Sequence, residues 1–223
     1  RVRRNITLLA NAQEQNGEVG EQFVPVYGTL LPAPNGEYID SESFYGEPGF
    51  DHYDTKSESL TLLADHVFNE TWSMEATARW TDGESDYSQA WPAFIGGTRW
   101  VFNDDGSLYR GGMVPRSFYT ANGMSEQLAI DTRLRAEFFT GELKHEVMVG
   151  AQYQDVTTET DTAYAYALGY DFATGGPDAI YGDTYWINLI NPEYGNIPTQ
   201  DIIEVLNVDL IVPFVLARGA ARH

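Results

Sequence analysis

Between Trp72 and Trp80 the chain alternates without a fault. Trp72, Met74, Ala76, Ala78 and Trp80 are apolar, while Ser73, Glu75, Thr77, Arg79 and Thr81 are polar or charged. Period two means a strand with one apolar face and one wet face. The pattern recurs along the chain. "NITLLANAQEQ" sets Ile6, Leu8, Ala10 and Ala12 against Asn5, Thr7, Asn11 and Gln13. "QLAIDTRLRAEF" sets Leu128, Ile130, Leu134, Ala136 and Phe138 against Asp131, Arg133, Arg135 and Glu137. "HEVMVGAQYQD" sets Val147, Val149, Ala151 and Tyr153 against Glu146, Gly150, Gln152 and Gln154. "SESLTLLADHVF" is less clean, because Leu63 and Val67 interrupt Leu60, Leu62, Ala64 and Phe68. The class is all-β.

The connections decide what lies against the apolar faces. "FNET" (68–71) and "TGEL" (140–143) are tight turns with hairpin residues. The other connections, about residues 16–52, 89–124 and 160–200, are long and carry most of the Gly, Pro and aromatic residues. Loops of that length are functional or disordered as a rule. Short turns at one end and long loops at the other are the habit of outer-membrane barrels. The row Asp131, Arg133, Arg135, Glu137 suits a wet lumen, and Phe68, Trp72, Trp80, Phe138 and Tyr153 sit where interfacial aromatics belong. Lipid is therefore the expected neighbour of the apolar faces, and the expected fold is an antiparallel transmembrane β-barrel segment. About five or six strands of a larger barrel are expected, with long extracellular loops and short periplasmic turns.

A formal charge of −20 excludes nucleic acid as a partner, since nothing here neutralises a row of phosphates. The absence of cysteine excludes disulfides, thiolate metal sites and cysteine nucleophiles. "RVRRNITLLANAQ" does not read as a signal peptide. His52, His66, His145 and His223 share no strand face at metal-ligand spacing, so they read as surface or girdle residues and metal catalysis has no support. "FNDDGSLY" opens like a calcium loop but lacks the closing glutamate, and reads as a Gly-closed hairpin turn. Ser57, Ser59 and Ser73 lack a histidine partner and a nucleophile elbow. No enzyme activity and no cofactor are expected.

Four segments in order, "PNGEY…FYGEPGFDHYD", "DHVFNETWSMEATARW", "DTRLRAEFFTGELKHEVMVGAQYQ" and "INPEYG", give the chain a resemblance to TonB-dependent outer-membrane siderophore receptors. It is most similar to their ferric hydroxamate (ferrichrome-type) branch, over about residues 3–197. That resemblance implies a 22-stranded barrel around a plug domain, import of a ferric siderophore with TonB-supplied energy, and residence in the bacterial outer membrane among lipid and lipopolysaccharide. Residues 1–198 would be a partial barrel. Plug, TonB box and C-terminal strand fall outside the match, so the segment alone is not expected to transport.

The same resemblance places pocket aromatics at Phe23, Trp91 and Tyr164, and departs from the branch at Glu21 and Ala93, where relatives carry further aromatics. From about Thr199 the match ends. Residues 199–223, with the apolar run "VDLIVPFVLA" broken by Pro213, read as a divergent tail from truncation or frame shift, or else as a sixth strand. Asp40, Glu42, Glu47, Asp51 and Asp54 read as a solvated acidic loop in preference to a divalent-cation site bridging lipopolysaccharide. The rival class is a soluble all-β module that binds a ligand or carbohydrate.

Overall fold

The computed structural model describes residues 3–199 and Ile203. Five long strands form one antiparallel-type sheet: β1 (Arg3–Gln15), β2 (His52–Val67), β3 (Trp72–Pro92), β5 (Arg116–Thr140) and β6 (Leu143–Leu168), in the order β1-β2-β3-β5-β6. Short pairs complete the described strands: β4 (Met113–Val114) with β9 (Ile187–Asn188), and β7 (Tyr170–Asp171) with β8 (Gly176–Pro177). The expected sixth strand after Thr199 lies outside the described residues. The chain divides into two compact units, one of residues 3–16, 54–85 and 122–160, the other of residues 17–53, 86–121 and 161–199 with Ile203.

The first unit is sheet with two contrasting faces. Register between β1 and β2 puts Ile6 opposite Ala64, Leu8 opposite Leu62, and Ala10 opposite Leu60. Directly opposed residues share a face, so the apolar rows of the two strands merge into one band. Arg4 opposite His66 and Ala12 opposite Glu58 close that band at its two ends. Trp80 donates its indole N–H to Glu126 at 3.0 Å, which places the even residues of β3 and β5 on one face. His66 packs edge-on to Phe68 and His145 stacks on Phe138, their rings 4.4 and 5.1 Å apart. The wet face is held by cross-strand ion pairs, Lys144 with Glu137 at 3.0 Å and Arg135 with Glu146 at 3.6 Å. These are exposed pairs worth little individually. Their value lies in fixing which face is wet.

The turns follow from side chains. In the β2–β3 turn Asn69 Oδ1 accepts the N–H groups of Thr71 and Trp72, both at 2.9 Å, and Phe68 N–H closes on Trp72 O. In the β5–β6 turn Gly141 takes φ +65°, which costs glycine nothing. On the apolar face Ile6, Leu8, Val147 and Val149 are exposed in the isolated chain, Ile6 to 67%. A contiguous exposed apolar band of this kind demands a covering. No described helix is long and apolar enough to cross a membrane, so any crossing is by strands.

The second unit holds the long connections and the strand ends. Sequence periodicity set the connections at 89–124 and 160–200, but β3 runs on to Pro92, β5 starts at Arg116, and β6 reaches Leu168. The alternation fades there because both faces of these strand ends are covered by protein: Ser88 to Pro92 are all buried, as are Arg116, Ser117 and Phe118. The loops build cores of their own. Ile39, Tyr45, Trp100, Val114, Ile187 and Leu189 form one cluster; Ala90, Phe118, Ala163, Ala165 and Leu168 a second; Ala93, Ile95, Val101, Ala167 and Trp186 a third. Gly169 is a close approach as well as a turn: at φ +87° its absent Cβ would lie 2.3 Å from Gly182 O.

The two-faced sheet makes a direct prediction. Ala76 lies midway along the β3 apolar row, and an arginine there should destabilise the lipid-folded chain by about 2–4 kcal/mol. Glu75→Leu, on the other face, should be nearly neutral. Denaturant titration in lipid vesicles measures both, and equal costs would contradict a lipid-facing even row.

Candidate functional site

The three aromatics singled out in the sequence converge. Phe23 lies in the connection after β1, Trp91 near the end of β3, and Tyr164 near the end of β6. Phe23 and Trp91 meet edge-on with centroids 6.0 Å apart, and Trp91 and Tyr164 meet at 5.9 Å. Trp91 is buried, Tyr164 half-buried and Phe23 exposed. Burial raises the Tyr164 phenol above its ordinary range, against a Ser117 hydrogen bond that lowers it, so it stays a neutral hydroxyl at neutral pH. The Trp91 indole N–H is enclosed and has no acceptor among the described residues. Such a donor costs about 1–3 kcal/mol while unsatisfied.

The cluster extends well past those three. Phe94 adds to Phe23 at 5.7 Å, and the Arg99 guanidinium lies 3.9 Å over the Phe94 ring while donating to the Phe23 carbonyl. Tyr164, Tyr166 and Phe172 stack nearly parallel, with steps of 6.0 and 5.8 Å. A tyrosine row, Tyr53–Tyr87–Tyr119, joins Tyr164 through Tyr119 at 6.2 Å. Sequence reasoning missed these residues, although a signal existed. Tyr87, Gln89 and Trp91, like Tyr164 and Tyr166, are spaced by two and so share a strand face. Ala93, one of the two departures from the branch pattern, is buried in a core cluster and takes no part in the site.

Phe23, Tyr53 and Tyr87 also wall a cavity of about 360 Å³, completed by Glu18, Val19, Gly20, Glu21 and Gln89. Gln89 is fixed on both sides: its amide N–H donates to Glu21 O and its carbonyl accepts the Tyr87 hydroxyl, each at 2.5 Å.

Beside the rings lies a polar pin. The Arg116 side chain is fully buried and every arm is engaged. Nη1 donates to Glu47 Oε2 at 2.8 Å, Nη2 to Asn196 O and Oδ1 at 3.0 and 2.8 Å, and Nε to Tyr185 O at 3.0 Å. Glu47 in turn accepts the Gly195 N–H at 2.6 Å. Asp51 Oδ1 accepts the N–H groups of Ala90 at 2.9 Å and Glu47 at 3.1 Å. One guanidinium thus ties the 44–51 loop and the 184–196 loop to the start of β5. This corrects the expectation of a solvated acidic loop: Glu47 and Asp51 are interior, while Asp40 and Glu42 remain exposed. Burial pushes the Asp51 carboxyl up to about 6, opposed by its two backbone donors and by Arg116.

The other sequence readings resolve simply. "FNDDGSLY" is a Gly-closed turn, in which Asp105 accepts from the Ser107 N–H and hydroxyl and Phe102 bridges Leu108. His52 pairs with Asp86 at 3.2 Å. His223 lies outside the described residues. Among the described residues no group of three His, Asp or Glu side chains is placed to hold a metal.

No family model matches the chain. It is similar to the ferrioxamine B receptor of Salmonella typhimurium, 27% identical over 176 residues that cover 78% of this chain and 20% of the relative. The ferrichrome outer membrane transporter/phage receptor of Escherichia coli K12 is 19% identical over 173 residues, 73% of this chain and 22% of the relative. The catecholate siderophore receptor Fiu of the same strain is 26% identical over 140 residues, 63% of this chain and 17% of the relative. A crystal structure of that ferric-catecholate import receptor in its open form superposes with a TM-score of 0.58 at 18% identity, covering 88% of this chain and 28% of that one. The fold is thus that of a β-barrel receptor segment. The chain spans about a fifth of the length of the curated relatives it matches. Nothing in these relatives supports a soluble carbohydrate-binding module.

Replacing Arg116 by Met should leave Glu47 buried without its cation and cost about 3–5 kcal/mol, read as early proteolysis of the 44–51 and 184–196 loops. Asp51 makes a pH prediction. Its folded value is raised, so its contribution to stability is present in acid and lost as pH rises through about 6. The loop unit should melt higher at pH 5 than at pH 7, and Asp51→Asn should flatten that difference.

Proposed function

We propose that this chain, a homologue of the outer-membrane siderophore receptors, forms part of a receptor that captures ferric siderophores at the outer surface and imports them with TonB-supplied energy. The observation that carries this reading is the convergence of Phe23, Trp91 and Tyr164 from three separate segments onto one aromatic cluster. Flat rings pack the apolar flanks of a chelate, while tyrosine hydroxyls reach its oxygens. A hydroxamate complex is the favoured class, because its aliphatic arms present the apolar flanks that rings grip. Lipid, and lipopolysaccharide at the outer rim, are the surroundings this reading requires.

The residues described here bind and orient. The strand ends hold Trp91 and Tyr164 rigidly, whereas exposed Phe23 sits at φ +47° on a loop tied down by Arg99. Transport itself calls for the plug and TonB contact that the family resemblance implies, and no step of it is assigned to these residues.

The test is iron-complex binding to outer membranes containing the protein. A ferric trihydroxamate should quench Trp91 fluorescence. Trp91→Phe should remove most of that quenching, and Phe23→Ala and Tyr164→Ala should each weaken binding about 10- to 100-fold, as for central aromatic anchors. A ferric tricatecholate binding equally well would remove the hydroxamate preference. Absence of binding by either would remove the receptor reading.

A further inference from the structure

Four described non-glycine residues take a left-handed backbone: Phe23 at φ +47°, Arg99 at +64°, Arg110 at +44° and Ala167 at +48°. A bulky side chain is strained there, and such residues persist only where the surroundings hold them. Phe23 and Arg99 lie 76 positions apart, yet they are bonded to each other, Arg99 Nη1 donating to the Phe23 carbonyl. Phe94 joins them a second way. Its ring packs against Phe23 with centroids 5.7 Å apart, and the Arg99 guanidinium lies 3.9 Å from its centroid. The Phe94 carbonyl accepts the Tyr166 hydroxyl, which ties this corner to the end of β6. The chain on either side of Phe23 has other anchors: Glu21 O accepts from the Gln89 amide at 2.5 Å, and Tyr27 O from the Trp100 indole N–H at 2.8 Å. Between those anchors, the described bond that grips the backbone at Phe23 itself comes from Arg99.

Arg99 has no carboxylate partner among the described residues, whereas Arg110 pairs with Asp183 and Arg116 with Glu47. Its guanidinium instead engages a ring face and a backbone carbonyl together, which a planar fork can do and an ammonium cannot. We propose that Arg99 is a positioning residue for ligand capture: by holding Phe23 in its left-handed conformation, it sets that ring beside Trp91 before a ferric complex arrives. The capture half rests on the receptor reading above; the hold on Phe23 does not.

A loop that orders only on binding subtracts the cost of ordering from its affinity, and apparent affinity falls with the fraction of molecules already competent. Without Arg99 the backbone at Phe23 would relax toward an ordinary conformation, and the ring would leave Trp91 and Phe94 in part of the population. The loss has a ceiling. A residue that acts only through Phe23 cannot cost more affinity than Phe23 itself, and it costs nothing once the Phe23 ring is gone.

The closing experiment reads the Phe23 ring and the ligand affinity separately, on protein purified from outer membranes. With a fluorophenylalanine in place of Phe23, the fluorine resonance is shifted by the neighbouring Trp91 and Phe94 rings. It should move toward the position of the free amino acid in Arg99→Gln and in Arg99→Lys. In unlabelled protein both substitutions should weaken binding of a ferric trihydroxamate by roughly tenfold, and by no more than Phe23→Ala does. In the Phe23→Ala background Arg99→Gln should add no further loss. An unmoved fluorine line in Arg99→Gln would overturn the hold on Phe23. Full binding by Arg99→Lys, or an additive loss in the double variant, would mean that Arg99 acts other than through Phe23 and would overturn the positioning role. A moved line with undiminished binding in Arg99→Gln would uphold the receptor and reject the capture half. A moved line in protein that binds no ferric complex would uphold the hold on Phe23 and reject the receptor reading.

Discussion

A strand in hydrocarbon has no water to satisfy its backbone, so every N–H and C=O must find a partner in a neighbouring strand, and one whole face must be apolar. In the first unit β2, β3 and β5 have a neighbour on both sides, β1 and β6 on one side among the described residues, and each carries an apolar face. Its five long strands pair in sequence-neighbour order, and the apolar rows of β1 and β2 meet residue on residue from Ile6 opposite Ala64 to Ala10 opposite Leu60. A slip of one residue would carry all of them to the wet side. On β5 and β6 the ion pairs of Glu137 and Glu146 mark the opposite, wet face.

The second unit solves a different problem. Long connections pay heavily in conformational entropy, and here they are held by their own cores and by one buried arginine. Arg116 accepts the desolvation penalty of a fully interior charge because its five N–H donors can reach Glu47, Asn196 and Tyr185 together. That fixes the frame in which rings from three segments stand within about 6 Å of one another. The aromatic cluster and the neighbouring cavity are two parts of that frame.

Legibility differed between the units for a physical reason. Lipid contact writes itself into sequence as period two, so the five strands and both tight turns could be read directly. Where protein covers both faces the code disappears. Ser88–Pro92 and Arg116–Phe118 therefore looked like loop, although they are buried strand. The acidic residues misled for the same reason. Glu47 and Asp51 resemble Asp40 and Glu42 in composition, but distant partners, Arg116 for Glu47 and the Ala90 N–H for Asp51, draw the first two inside.

The class of fold, the lipid-facing rows and the turns could be read from residue order alone, since each depends on contacts between near neighbours or on the solvent a face meets. Phe23, Trp91 and Tyr164 were visible as candidates through resemblance alone. Only the folded chain shows that they meet, that Tyr53 and Tyr87 pack edge to face at the wall of a cavity, and that an arginine holds the loops in place. Those contacts join residues tens of positions apart across irregular backbone, where no periodicity links one side chain to the next.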